Sequence, residues 1–229
     1  FNGMGKIFLY TVPNESYYAI LKAENGVEKR FELPQLEDEG VTLHLNYRED
    51  KIFYSITNQL SNKYTPLYLL IHQNGEPLLV SSVNKEMGQI SGLDSKDGIF
   101  AFSVIDTVGN VYCERLFFIN TPSPIKVSMD SDKEVYGKRE LVNLSFKVQP
   151  DTEEPLEGFY SISVTDSKVV KPDTLNDNII SHLLLSSDLK GHIENPTSYF
   201  INDSISSHDK LDLLMLTQGC SRFKRSDGL

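Results

Sequence analysis

Gly98-Ile-Phe-Ala-Phe-Ser-Val-Ile-Asp106 and the run Val111–Ile119, divided by the turn Gly109-Asn110, are the most strand-like part of the sequence. Short apolar runs rich in Phe, Ile and Val and bounded by turn residues indicate β-strands. Turn signals such as Asn74-Gly75 separate further runs of this kind, which lie at 41–47, 51–57, 67–72, 77–83 and 89–93. Short strands with turns every roughly 8–12 positions predict an antiparallel β-sandwich over residues 39–121.

The sequence before this block contains three more strand-length runs, at 6–12, 17–23 and 27–33. Asn25-Gly26 between the last two predicts a hairpin whose two turn positions both need positive φ. Because three strands cannot enclose a core, we interpret residues 1–38 as the closing strands of an incomplete upstream sandwich. The chain opens with Phe1 in strand-like sequence, so we expect a piece of a longer polypeptide whose signal peptide lies outside it.

The sequence after this block predicts a second sandwich. Thr121-Pro-Ser-Pro124 is a stiff linker, since each proline fixes its own φ and keeps the preceding residue extended. A second sandwich is predicted at 124–205, with strands expected in 125–129, 132–140, 141–148 and 159–166 and an insertion after Asp166. The last part, 206–229, is predicted to be a helical tail. Its helix is expected at 209–218, capped by Asp209 and ended by Gly219, and Asn178 is expected to cap an earlier turn.

Composition limits the classes of partner. The chain of 229 residues has a net charge of −10, which argues against a nucleic-acid partner because phosphate binding depends on Lys and Arg. No run of eighteen apolar residues occurs, so no membrane span is predicted. The two cysteines, Cys113 and Cys220, either form one disulfide or remain free thiols.

The sequence contains no recognised catalytic or phosphate-binding motif, and its five histidines have no ligand-like spacing. We therefore expect no enzyme activity, no catalytic residues, no cofactor and no metal. Asp130, Asp132 and Glu134 are either part of a calcium site or a solvated acidic strand entrance. A second set of side chains could form a sugar-stacking surface or pack within the fold; it comprises Tyr17, Tyr18, Tyr54, Tyr64, Tyr68 and Tyr160.

The stretch from Ser181 to Gly219 contains LLLSSDLKGHIENPTSYF and LDLLMLTQG. It resembles the signature "LLLSSDLKG-IE-P-YYF … LD-LMLTQGWRRY" of large Bacteroidetes cell-envelope proteins, which place macroglobulin-type β-sandwich domains ahead of a TonB-receptor-plug-like segment. Cys220-Ser221-Arg222 stands where that signature has Trp-Arg-Arg. The matching positions that we treat as signature and candidate interaction residues are Leu183, Leu185, Asp188, Gly191, Glu194, Pro196, Tyr199, Phe200, Leu211, Leu214, Gln218 and Gly219.

Residues 132–166 are similar to the "D-Y-PGE-V … G-P-L … V-V-D" pattern of macroglobulin-type domains, with a departure at Gly137-Lys138. The thioester motif Cys-Gly-Glu-Gln of complement-type members is absent, so covalent trapping of a target is not expected. The resemblance thus implies an all-β fold: tandem immunoglobulin/macroglobulin-like antiparallel β-sandwiches with a short helical C-terminal segment.

The same resemblance implies a non-enzymatic structural or interaction module of an exported protein, periplasmic or outer-membrane-associated. Its partners would be other domains of the same polypeptide or other envelope proteins. The alternative is a carbohydrate-binding module of a glycan-uptake system, with the tyrosines as a platform. We expect the signature segment, including Leu189 and Met215, to fold back onto the second sandwich. Otherwise it docks on a downstream segment and is frayed here, or it drives dimerisation.

Overall fold

The fold is mostly antiparallel β-sheet with a short helical C-terminal part, as predicted. The computed structural model describes residues 1–12, 14–48, 51–93, 96–119, 126–149, 159, 161–171, 175–201 and 205–219. Of the described residues, 38% lie in strands and 12% in helices, so the protein belongs to a β-rich class. The chain divides into two compact units, one of residues 1–120 with 174–229 and the other of residues 121–173.

The larger unit contains two multi-stranded antiparallel sheets and one separate hairpin. Its strands are β1 (Tyr18–Lys22), β2 (Glu28–Glu32), β3 (Val41–Arg48), β4 (Lys51–Asn58), β5 (Tyr68–Gln73), β6 (Glu76–Ser82), β7 (Met87–Ile90), β8 (Gly98–Ile105) and β9 (Val111–Ile119). The first sheet has the order β3-β4-β7 and the second β6-β5-β8-β9, while among the described residues β1 and β2 pair only with each other.

The two larger sheets pack face to face across one apolar core. In β3 the buried residues alternate with exposed ones, and Leu43 and Leu45 lie opposite Ile56 and Tyr54 of β4. Since opposite residues of an antiparallel pair share a face, these side chains form one apolar surface. The second sheet contributes the facing residues, Leu69, Ile71, Phe100, Phe102, Val104, Phe117 and Ile119.

Strand β8 is buried on both of its faces. Phe100 and Phe102 point into the core between the sheets, whereas Ile99 and Ala101 belong to a second apolar core on the opposite side. Every residue of β8 is buried, and a strand covered on both sides reads as a continuous apolar run rather than an alternating one. The apolar run Gly98–Ile105 is therefore the central strand of a three-layer unit.

The third layer consists of short helices from residues 175–219. A capped turn, α1 (Ile179–Ser181), continues as a π-helical turn at His182–Ser186, and a 3-10 turn follows at Pro196–Tyr199. The longest helix, α2, spans Ile205–Thr217. Asn178 caps α1 as predicted, but α2 begins before Asp209, so the prediction of a cap there was wrong. In the described part of the chain no helix is long and apolar enough to cross a membrane.

The N-terminal region only partly matches its prediction. The hairpin around Asn25-Gly26 is confirmed, with Ala23 N donating to Val27 O over 2.9 Å. Only Gly26 of the two turn residues has a positive φ, +80°, so the expectation of two positive values was wrong. The run 6–12 forms no strand, because its apolar sequence finds no ladder among the described residues.

The smaller unit shows one hairpin in its described part. Strands β10 (Lys126–Ser131) and β11 (Leu144–Gln149) pair antiparallel, and the loop between them is closed by Asp132, which accepts hydrogen bonds from the Asn143 amide groups at 2.9 and 3.2 Å. Residues 132–140 and 161–166 were predicted as strands, but no strand lies there. The linker 121–124 and the turn at 150–158 lie outside the described residues.

The turn between β8 and β9 depends on one carboxylate. Asp106 Oδ1 accepts from Val108 N and Asn110 N, both at 2.9 Å, and Oδ2 accepts from Asn110 Nδ2 at 2.8 Å and Tyr112 OH at 3.4 Å. Burial raises the pKa of Asp106, but these hydrogen bonds to the ionised form outweigh it and hold the pKa below its ordinary value. A carboxyl group with a lowered folded-state pKa stabilises the fold above its unfolded pKa of about 4.

We expect Asp106→Asn to lower the urea midpoint at pH 7, because it removes the charged acceptor that holds the turn. The difference from the wild type should shrink as pH falls from about 4 through the folded-state pKa, where the wild-type carboxyl group is itself protonated. Urea unfolding at pH 7, 5 and 3 measures this effect. The matched control is Asp209→Asn, at an exposed position, which should leave the midpoint unchanged. An Asp106→Asn difference that stays constant with pH would contradict the prediction.

Candidate functional site

The signature segment packs on the outer face of β8 and β9. Its buried side chains contact the outward-facing residues of these strands, and the shared core consists of Ile99, Ala101, Leu116, Phe118, Leu185, Leu189, Ile193, Tyr199, Leu211, Leu214 and Met215. Packing of the segment was predicted, but the expected surface, the second sandwich, was wrong. The reason is that β8 and β9 have a second apolar face, on the side away from the core between the sheets, and the segment covers it.

The apolar signature residues are not all used in the same way. Leu185 is fully buried, whereas Leu183, two residues earlier, is 62% exposed on the other side of the π-helical turn. Tyr199 is buried, and burial is the main cause that raises the pKa of its hydroxyl group. Phe200 is half-buried and meets Phe118 edge to face, with 5.8 Å between the ring centroids. Leu211 and Leu214 are buried on the inner side of α2.

The polar and small signature residues shape the backbone of the segment. Gly191 has a φ of +91°, which only glycine adopts without strain, and the Gln218 side chain lies 3.5 Å from where its Cβ would stand. Asp188 is buried and accepts from Ser187 Oγ at 2.8 Å. The remaining positions serve the chain path: Pro196 begins the 3-10 turn, the Glu194 carbonyl accepts from Asn2 Nδ2 at 3.2 Å, and Gly219 follows the end of α2.

An Asp, His and Ser cluster at the start of α1 was missed by the sequence analysis. Asp177 accepts from Ser181 Oγ and Ser186 Oγ, both at 2.5 Å, and His182 Nδ1 lies 3.2 Å from Asp177 and 3.1 Å from Ser186. Burial raises the pKa of Asp177, but these partners outweigh it and lower the pKa overall. A catalytic triad needs the acid and the serine on opposite ring nitrogens. Here both meet Nδ1, so the cluster can cap a helix but does not activate a nucleophile.

A groove lies beside α2 and the outer face of the first sheet, with a volume of about 1010 Å³. Arg115 of β9 stands at its base, where Nη1 donates to the Leu45 carbonyl of β3 over 3.0 Å and Nη2 pairs with Asp212 of α2. Lys6 Nζ approaches the other oxygen of Asp212 at 3.3 Å. Arg115 Nε is buried and has no hydrogen-bond partner among the described residues. This ionic chain joins three distant parts of the sequence, which no local pattern could indicate.

The lining of the groove is both apolar and polar. Phe53, Met87 and Leu216 expose apolar surface to it, and His208 of α2 stacks on Tyr47 with 4.7 Å between the ring centroids. The other side chains that contribute polar groups are His44, Asn46, Ser55, Gln89 and Asp209. Such a mixture suits a polypeptide segment or another ligand with apolar and hydrogen-bonding groups.

The tyrosines do not form a common platform within the described chain. Tyr54 packs over Gly88, where an added Cβ would come within 2.5 Å of its hydroxyl oxygen, and Arg30 lies 3.8 Å above the Tyr18 ring centroid. Tyr64 is 94% exposed in a loop. The Tyr17 hydroxyl oxygen accepts a hydrogen bond from Val12 N at 2.7 Å. Tyr68 is half-buried in β5, and Tyr160 lies outside the described residues.

The other candidate residues are placed individually. Asp132 is occupied by the loop of the smaller unit, and the Tyr136 and Asn143 hydrogen bonds lower its pKa. Among the described residues, no group of three or more His, Cys, Asp or Glu side chains could hold a metal ion. Cys113 is a half-buried free thiol whose pKa is raised by burial, and Cys220 lies outside the described residues. His72 is buried beside Glu114, at 3.5 Å.

We expect Leu185→Ala to destabilise the protein by about 2–5 kcal/mol, because it removes a fully buried side chain between the segment and the sheet. The matched control, Leu183→Ala, lies two residues away in the same turn and should change stability by less than about 0.5 kcal/mol. Urea unfolding of both variants measures the difference. Equal, small effects would show that the segment is not packed on β8 and β9.

No protein-family model matches the chain, and no curated protein sequence matches it. The interpretation of the site therefore depends on the residues themselves. Several of the apolar signature residues pack the segment on β8 and β9. The groove beside α2 is a separate feature, and the sequence did not predict the residues that line it.

Proposed function

We propose that the chain is a non-enzymatic structural and interaction module of an exported cell-envelope protein, and one part of a larger multidomain polypeptide. The observation that carries this proposal is that the apolar residues of the signature segment serve to pack it on the sheet. Leu185, Tyr199, Leu211 and Leu214 cover the outer face of β8 and β9. A family signature made of packing residues preserves an architecture rather than a reaction, and it is expected in proteins that space or dock their neighbours.

The strand order supports an immunoglobulin/macroglobulin-like sandwich for residues 39–121. The first, second and fifth strands of this block form one sheet, and the fourth, third, sixth and seventh form the other. The immunoglobulin constant arrangement differs by one edge strand, since its fourth strand lies on the first sheet. We propose the same class for the part of the predicted 124–205 sandwich that lies in the smaller unit, where the β10–β11 hairpin contributes a pair of antiparallel strands, and hence a tandem arrangement. The described residues from 175 onward belong instead to the larger unit.

The groove is the proposed contact surface for neighbouring domains or other envelope proteins. Its rim exposes Met87 by 70% and Leu216 by 44%, and large exposed apolar side chains next to polar ones are typical of protein contact sites. Carbohydrate binding through the tyrosines is less well supported, because these rings stand in separate elements. The periplasm or outer membrane is the proposed location, in line with the resemblance of residues 181–219.

A photo-cross-linking residue at Met87, in the full-length protein, should give adducts with envelope proteins or with neighbouring domains of the same chain. The same residue at Val108, which is 79% exposed in the β8–β9 turn, is the matched control and should give none. Equal labelling at both positions would contradict the proposed contact surface.

Cell fractionation tests the proposed location. The full-length protein should be found in the envelope fraction, and a cytoplasmic pool would contradict this location.

A glycan array distinguishes the alternative function. We expect no reproducible binding, because the described tyrosines offer no common stacking surface. Glycan binding that is lost in Tyr64→Ala but retained in the control variant Val108→Ala would instead favour a carbohydrate-binding module.

A further inference from the structure

Residues 7–10 form an apolar run at the side of the groove beside α2. Ile7 and Phe8 line the groove, yet these two residues are 80% and 84% exposed, and Tyr10 is 96% exposed. Among the described residues, the backbone N–H and C=O groups of residues 7–11 have no hydrogen-bond partner. The position of the run is therefore not fixed by hydrogen bonds of its own backbone.

The chain before this run is anchored on the third layer, whereas the chain after it is not packed. Phe1 meets Tyr199 edge to face, with 5.2 Å between the ring centroids, and Lys6 Nζ lies 3.3 Å from Asp212 of α2. After the run the chain enters the β1–β2 hairpin, in which every residue is exposed. A segment with few buried contacts, fixed at one end, is of the kind that moves as a lid.

The floor of the groove has an exposed apolar surface of its own. Phe53 of β4 and Met87 of β7 line the groove and are 38% and 70% exposed. Met87 lies opposite Ser55, the second residue after Phe53, so all three share the outer face of the first sheet. Two exposed apolar surfaces thus border the same groove, and contact between them would remove both from water.

We propose that residues 7–10 are a strap that closes onto this floor, with Phe8 on Phe53 and Tyr10 on Met87. In this structure the strap is open. Its regulatory role rests on the function proposed above, because a closed strap occupies the surface that a neighbouring domain or envelope protein would contact. The strap is then a competitor within the chain, and a partner binds the groove when the strap opens.

The length of the run agrees with this pairing. The anchor lies beside β3, because Arg115 binds both Asp212 and a backbone carbonyl of that strand. Neighbouring strands are about 4.7–4.9 Å apart, and an extended chain advances about 3.3 Å per residue. Phe8, two residues beyond Lys6, can therefore reach β4, and Tyr10 can reach β7. Alternate residues of an extended chain share a face, so both rings can turn towards the floor together.

The charges at the base of the groove favour an uncharged occupant such as this run. Lys6 and Arg115 both pair with Asp212, so these three ionic groups already bind one another. Residues 7–11 carry no charge. Their docking adds no charged group that would have to be desolvated without a partner.

Disulfide trapping tests closure in the full chain with Cys113 and Cys220 replaced by Ser. Y10C/M87C should form a disulfide within one chain on mild oxidation, which a non-reducing gel shows as a faster monomer band. The matched control is Y10C/V80C, since Val80 of β6 is 56% exposed and does not line the groove. This control should cross-link at least about tenfold more slowly.

Circular dichroism of both cysteine pairs checks that the fold is retained. Equal cross-linking rates for the two pairs would overturn the proposal. A Y10C/M87C disulfide that joins two chains would also overturn it, since a second copy would then cover the floor of the groove.

Tryptophan fluorescence provides a second measurement that needs no cysteine. The sequence contains no Trp, so F8W places a single indole on the strap, and closure should shield it from acrylamide. F8W/M87K should raise the quenching constant at least about twofold, because a charge on the floor opposes closure. The control F8W/V80K should leave it unchanged. Equal quenching of F8W and F8W/M87K would overturn the proposal.

Neither measurement contains a partner. A negative result in either therefore counts against the strap and not against the contact surface, whose own test is photo-cross-linking at Met87.

Discussion

The burial of β8 on both faces is the constraint on which the rest of the structure depends. One face of this strand completes the core between the two sheets, and the other receives residues 185–215. A sheet with two apolar faces cannot stand at the surface, because each large side chain left in water forgoes about 1.5–3 kcal/mol. The third layer is therefore a requirement of the sequence of β8 and β9 rather than an appendage, and its own sequence is determined by the surface that it must cover.

The ionic chain of Arg115, Asp212 and Lys6 gives the three layers a fixed relation. Its members lie on β9, on α2 and before the first hairpin, and Arg115 also holds a carbonyl of β3. A partly buried ion pair gains little net stability, since desolvation offsets much of the attraction. The ion pair instead makes the position of α2 specific. An apolar surface allows a helix to pack in several positions, whereas the Arg115 guanidinium group can bind both Asp212 and the Leu45 carbonyl in few of them. The groove is formed where this chain draws α2 beside the edge of β3.

Sequence patterns predicted the features that local chemistry decides. The strands β3 to β9 follow apolar runs and turn residues, and Asn178 caps a helix because its side chain can accept from the first free N–H groups. Features that depend on distant residues were not predictable. Arg115 and Asp212 are 97 positions apart, and the docking surface of Leu185 could not be read from either partner alone. The run 6–12 has the composition of a strand but no ladder, since strand formation needs a neighbour that composition does not reveal.

The order of the elements along the chain means that β8, which is buried on both faces, has one face uncovered for a time during synthesis. The sheet is complete once Ile119 has been made, but the segment that covers its outer face ends at Gly219, and the whole smaller unit is translated in between. At about 5–20 residues per second, this leaves the outer face of β8 and β9 open for several seconds on every ribosome. During that interval Ile99, Leu116 and Phe118 form an uncovered apolar surface on an otherwise finished sheet, and such a surface is a target for chaperones.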